Sequence, residues 1–204
     1  MLRKSAAGSK EGVRGSILRR KLLSGKAVLG IWSLIPSTIL SEVMGLGGFD
    51  FQILDMEHGP FDLRDIEDSI RALEGVGCSP LVRVPRADSP LVQRCLDFGA
   101  QGIVFPQIAG RTSARNAVKT LKYAPAGLRG FNPFTRAGRY SGAISSETPG
   151  LRDGYPLCVV IIENQSSSHD LARIAAIPEV DVLYLGIYDM AVALGCQGDT
   201  SHRK

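Results

Sequence analysis

The chain has 204 residues, of which 44% are hydrophobic and 22% charged; this is enough apolar material for one ordinary globular domain and excludes a disordered or fibrous protein. Its longest apolar runs, Leu157 to Ile162 and Val180 to Ile187, fall well short of the roughly 20 residues that a membrane span needs, so no membrane partner is expected. The formal charge of +4 is unevenly spread: residues 1–26 carry eight Lys or Arg against Glu11 alone, a net of +7, which leaves −3 for the rest, and a slightly acidic body of this kind is not a nucleic-acid-binding surface.

Residues 1–16 read as a flexible basic tail, because Gly8, Gly12 and Gly15 spoil an amphipathic helix. A transit peptide for mitochondrial import or a nucleic-acid arm is the alternative; an apolar signal-peptide core is missing from this stretch. Cys78, Cys95, Cys158 and Cys196 form no CxxC pair and read as reduced thiols, which suits a cytoplasmic protein.

Taken in order, Ile17 to Leu23 is a short helix ending at Gly25, and Ala27 to Ile35 is a first strand closed by Pro36. Ser37 caps a helix towards Leu46 that the Gly47, Gly48 pair ends. The apolar run Phe49, Phe51, Ile53, Leu54 is the second strand, and it delivers Asp55, Glu57 and His58 to its carboxyl end. Asp62 caps a helix through Leu63, Ile66, Ile70 and Leu73. Pro80 to Pro85 is the third strand, with Arg83 inside it; Ser89 caps a helix through Leu96, and Gly102 to Pro106 is the fourth strand.

After a helix over 112–121, the segment 123–154 is rich in Gly, Pro and Arg, and so long a stretch without elements reads as a functional loop. Its Arg129, Asn132, Thr135, Arg136 and Arg139 either recognise an acidic substrate or serve as loop and oligomer contacts. Leu157 to Ile162 is strand five, leading to Glu163 and Asn164; 168–177 is helical; Val180 to Leu185 is strand six, followed by Asp189 and a helix from Met190. One domain over 17–195 and a polar tail over 196–204 account for the chain.

Continuously apolar strands alternating with helices every 25 to 30 residues or so are the pattern of parallel βα units. The sheet closes either as an open doubly wound sheet or as a (β/α)₈ barrel: no GxGxxG follows the first strand, which argues against a dinucleotide fold, while six strands are two short of a closed barrel. In parallel α/β proteins the chemistry sits at the carboxyl ends of the strands, where Asp55, Glu57, His58, Arg83, Glu163 and Asp189 gather. Glu163 and Asp189 are two hard oxygen donors without Cys or His, a set that suits Mg²⁺ or Mn²⁺ with open positions; the plainer reading of Asp189 is a helix cap. His58 suits proton transfer near neutral pH if a carboxylate such as Asp97 orients it.

The series LDMEHGPFDL, LVRVP, LDFGAQGIVFPQI, KYAPAGLRG, IIEN and LGIYDM resembles the HpcH/HpaI aldolase family, metal-dependent class II pyruvate aldolases of the citrate lyase β-subunit-like group. The resemblance runs over about 18–195. It implies a (β/α)₈ TIM-type barrel in an oligomer that is often hexameric, here apparently truncated after six βα units. It implies Glu163 and Asp189 as ligands of Mg²⁺ or Mn²⁺, Arg83, His58 and Asp97 as catalytic residues, Asp55 and Glu57 as their support, and Gly186 and Tyr188 beside Arg83 as substrate-binding residues. The implied reaction joins or cleaves a pyruvate or oxaloacetate enolate and an aldehyde. A citrate synthase-like or citryl or citramalyl lyase-like enzyme, or a non-catalytic remnant, stands as the alternative. Ile161, where many members have Gln, and GIYDMA, where the family tends to GPxDLS, depart from the pattern.

Overall fold

The computed structural model describes residues 15–141 and 155–202, so the expected tail over 1–16 and the end of the long loop lie largely outside the described residues. Six strands, β1 (Gly30–Ser33), β2 (Phe51–Asp55), β3 (Ser79–Arg83), β4 (Gly102–Phe105), β5 (Leu157–Ile162) and β6 (Val182–Leu185), form one parallel sheet in sequence order. Helices α1 (Gly15–Leu23), α2 (Thr38–Leu46), α3 (Leu63–Gly75), α4 (Ser89–Phe98), α5 (Arg111–Leu121), α6 (Gln165–His169), α7 (Leu171–Ala175) and α8 (Ile187–Ala193) complete the order.

The sheet is strongly curled. In a flat sheet, five strand spacings of about 4.8 Å would hold β1 and β6 roughly 24 Å apart, yet Trp32 near the end of β1 and Tyr184 of β6 bring their ring centroids to 5.0 Å. The expected α/β architecture is therefore present as a six-stranded curled half-barrel; the eight-stranded closure is not formed among the described residues.

Because successive side chains of a strand point to opposite faces, each strand feeds two cores. Ile53, Leu81, Val104, Leu157, Val159 and Ile161 fill the concave face, closed at the strands' amino ends by Leu18 of α1. Lys21 and Arg19 of the same helix pair with Asp50 and Asp181. The alternate residues Leu54, Val82, Ile103, Phe105, Val160 and Ile162 pack outward with Ile66, Ile70 and Leu73 of α3 and Val92 and Leu96 of α4. Full burial of one such side chain contributes roughly 1.5–3 kcal/mol.

Ser37 caps α2 by accepting from the Leu40 N–H at 3.2 Å, and Asp62 caps α3 in a reciprocal box with Asp65. Other boundaries move. α4 has Asp88, not Ser89, at its N-cap, because Pro90 favours the first turn. The helix expected over 168–177 is two short ones meeting at Asp170, whose carboxylate accepts from the Arg111 N–H of α5. α8 begins three residues before Met190, so Asp189 lies inside its first turn and Gly186 is the N-cap.

Candidate active site

The strand alternation that fills the concave face also builds the site. Ile53, Leu81 and Ile161 point inward; two residues further along each strand come Asp55, Arg83 and Glu163, on the same face but past the apolar layer. Asp55 is 0%, Arg83 8% and Glu163 7% exposed, and charged groups this deep require partners.

Asp55 has them all. Its Oδ1 accepts from Arg83 Nε at 2.8 Å and from the backbone N–H groups of Glu57 at 2.9 Å and His58 at 3.2 Å. Its Oδ2 accepts from Trp32 Nε1 at 3.0 Å and from Arg83 Nη2. Burial alone would push this carboxyl up, but the bonds from Arg83, Trp32 and the two backbone N–H groups outweigh it and hold Asp55 below the ordinary aspartate value. The two backbone bonds also fold the chain just after β2, which fixes where Glu57 and His58 stand.

Arg83 reaches on to Glu57, with Nη1 at 3.0 Å from Oε2, and lies 4.7 Å over the Trp32 ring. Burial lowers its pKa, while Asp55 first, then Glu57 and Glu163, raise it to a net value above ordinary arginine. Of the five guanidinium donors, three are used in these contacts among the described residues, which leaves two for another oxygen.

Glu163 is placed differently. Its Oε1 accepts from the Gln107 N–H, and burial, then the charges of Asp189 and Glu57, raise its pKa above the ordinary value. Gly186 packs against it so closely that a Cβ there would lie 2.7 Å from Glu163 Cβ and 3.0 Å from Oε2. Asp189 reaches the same region from the first turn of α8. Two carboxylates that repel each other, one desolvated, with no salt bridge to either among the described residues, form a donor set that fits a hard divalent cation. No group of three or more His, Cys, Asp and Glu residues is drawn up for a metal among the described residues.

The structure therefore brings Asp55, Glu57, Arg83, Glu163, Asp189 and Gly186 to one rim. His58 is exposed at its mouth, and Tyr188 is 70% exposed in the first turn of α8. Asp97 lies near the end of α4, on the side where the chain enters β4, and its carboxylate accepts from Arg129 Nη2 at 2.8 Å. Arg129 is thereby buried, over the Tyr123 ring at 4.6 Å, and Arg136 pairs with Glu74.

Two members of the rim were not expected from the sequence. Trp32 was readable as the single tryptophan of the chain near the end of the first strand. Gln107 follows Pro106 just past β4, and its one distinguishing feature, a left-handed backbone at φ 55°, has no signature in its residue type.

The sequence profile of the HpcH/HpaI aldolase/citrate lyase family matches residues 29–204. The chain belongs to this family. It is 36% identical over 176 residues to a 2-dehydro-3,6-dideoxy-6-sulfogluconate aldolase of Pseudomonas putida, covering 86% of this chain and 68% of that protein. It is also 31% identical to a hydroxypyruvate/pyruvate aldolase of Roseobacter denitrificans, over 90% of this chain and 72% of that one. Among solved structures, an HpcH/HpaI aldolase/citrate lyase family protein from Burkholderia cenocepacia superposes with a TM-score of 0.85 at 31% identity, covering 92% of this chain and 75% of that one. Membership places the HpcH/HpaI chain among the carbon–carbon lyases of the class II aldolase kind. No helix among the described residues is long and apolar enough to cross a membrane.

Proposed function

We propose that the chain catalyses divalent-metal-dependent aldol addition and cleavage between the enolate of a small 2-oxo acid, pyruvate or oxaloacetate, and an aldehyde. The observation that carries the reading is the pairing of Glu163 with Asp189 beside the unspent donors of Arg83. Glu163 and Asp189 would hold Mg²⁺ or Mn²⁺, which supplies Lewis-acid stabilisation of negative charge on the substrate's oxygens.

The residues divide the remaining work. Arg83, kept charged and fixed by Asp55, Glu57 and the Trp32 face, directs its two free donors at the keto oxygen, where charge builds up as the enolate forms. A donor already in place costs no reorganisation at that moment. His58 takes the proton from C3 of the oxo acid; the C3 electron pair then forms the new bond to the aldehyde carbon, and His58 returns the proton to the aldehyde oxygen. Cleavage is the same sequence reversed. Gly186 leaves room beside Glu163, and Tyr188 flanks the opening. No lysine stands among these rim residues, in keeping with an enolate route without a Schiff base.

Association of identical chains belongs to the same reading. Ile39, Val43 and Leu46 form a row on α2 at 71%, 55% and 77% exposure, spaced to share one helix face, and such a face is covered in an assembly. Light scattering measures it.

Purified protein incubated with Mn²⁺, pyruvate and a panel of short aldehydes is expected to form 4-hydroxy-2-oxo acids, and Glu163→Gln is expected to lose metal-dependent turnover. Absence of product together with absence of metal-dependent pyruvate binding overturns the reading.

A further inference from the structure

Gln107 stands where two strand ends must be kept in register. It follows β4 by two residues, and Pro106 before it has no N–H, so the Gln107 N–H is the first backbone donor that this strand end offers to the rim. That N–H donates to Glu163 Oε1, beyond the end of β5. Its side-chain Nε2 donates to Glu57 Oε1 at 3.1 Å, beyond the end of β2. One residue thus grips two carboxylates that repel each other, as the effect of Glu57 on Glu163 shows.

The backbone is shaped for the grip. Gln107 has φ 55°, a region that L side chains enter at a cost and that concentrates at functional sites. The next residue, Ile108, is 3% exposed and its carbonyl accepts from Asn164 Nδ2 at 3.1 Å. With Pro106 on one side and the anchored Ile108 on the other, the left-handed turn is held from both ends. A glycine would adopt it freely, but it would leave Glu57 Oε1 without the amide.

We infer that Gln107 is a positioning residue of the proposed aldolase site: its N–H sets Glu163 and its amide sets Glu57, so that the cation-binding carboxylate and the carboxylate on Arg83 keep a fixed separation. The inference rests on the function proposed above. Backbone and side chain make separate contributions, and different substitutions remove them.

Gln107→Gly keeps the N–H and the backbone geometry and loses the amide. Gln107→Val disfavours the left-handed backbone and turns the N–H away from Glu163. Mn²⁺ affinity, measured by calorimetry without substrate, is expected to stay within about twofold in Gln107→Gly and to fall about tenfold in Gln107→Val. The ratio kcat/KM for pyruvate is expected to fall about tenfold in both, less than the hundredfold or so of a full 1 Å misplacement. Hydrogen exchange in metal-free protein supplies a reading that does not need the valine variant to fold. In Glu163→Ala the Gln107 amide is expected to exchange at least tenfold faster than in the parent, with the Ile103 amide of β4 unchanged. An active parent whose Gln107 variants match it in Mn²⁺ affinity and kcat/KM overturns the inference, as does an unchanged Gln107 exchange rate. A parent that neither binds Mn²⁺ nor turns over pyruvate overturns the aldolase reading instead, and the exchange measurement still decides whether Gln107 holds Glu163.

Discussion

Arg83 and Asp55 occupy partnered positions at the ends of β3 and β2, and the guanidinium meets the carboxylate through two nitrogens, Nε at 2.8 Å and Nη2. A forked contact of this kind fixes orientation as well as charge. Arg83→Lys keeps the charge and loses the fork, and kcat/KM is expected to fall by about 10²–10³, the scale for a lost oxyanion donor. Asp55→Ala strands a buried guanidinium and is expected to cost roughly 3–5 kcal/mol, read as a lower urea midpoint.

The same pair sets an acid limit. Asp55 titrates below its ordinary value of 3.8, so the folded state holds its proton less tightly than the unfolded chain. Its stabilisation is therefore complete above the unfolded value and is lost as the pH falls through the lower folded one. Urea midpoints are expected to fall steeply from about pH 4 downwards in the parent, and less steeply in Asp55→Asn.

Glu163 carries the opposite sign. Its raised pKa means that the ionised form is disfavoured in the metal-free fold, and the penalty grows as the pH rises through the raised value. Metal-free Glu163→Gln is expected to melt at or above the parent's temperature at pH 7. The parent alone is expected to gain stability with Mn²⁺, by about 2.7 kcal/mol at a hundred times the dissociation constant. Differential scanning calorimetry of both proteins with and without Mn²⁺ measures this.

Gly186 has φ −83°, so backbone strain is not at issue, and an alanine there fails only by contact. The added Cβ would lie 2.7 Å from Glu163 Cβ and 3.0 Å from Ile161 Cγ2. Gly186→Ala is expected to lower kcat/KM by about a hundredfold, the effect of a displacement near 1 Å. Near-unchanged far-UV circular dichroism would show that the loss comes from the site.

Much of the framework was legible because burial leaves a strong pattern. The run Leu157 to Ile162 coincides with β5, and Ser37 and Asp62 cap helices as their side-chain chemistry requires. The rim residues Asp55, Arg83 and Glu163 were legible too, since a charge at the end of a buried apolar strand is costly unless it is paired or bound to a ligand. The partner that Asp97 takes within the chain was not. Resemblance supplies a role but not a partner, and here Arg129, 32 positions away in the sequence, takes up the carboxylate. Gln107 was hidden for a different reason: its N–H meets Glu163 from a left-handed backbone, which residue type does not encode.

The indole that supports Arg83 has a practical consequence, because Trp32 is the only tryptophan in the chain. Its N–H is committed to Asp55, a guanidinium lies over its ring and Tyr184 of β6 lies 5.0 Å from it. The protein's tryptophan emission therefore arises from the rim itself. Loss of the contact between β1 and β6 would shift that emission while the helical signal persists, so a pair of unfolding curves would reveal whether the mouth of the half-barrel loosens before its outer layer.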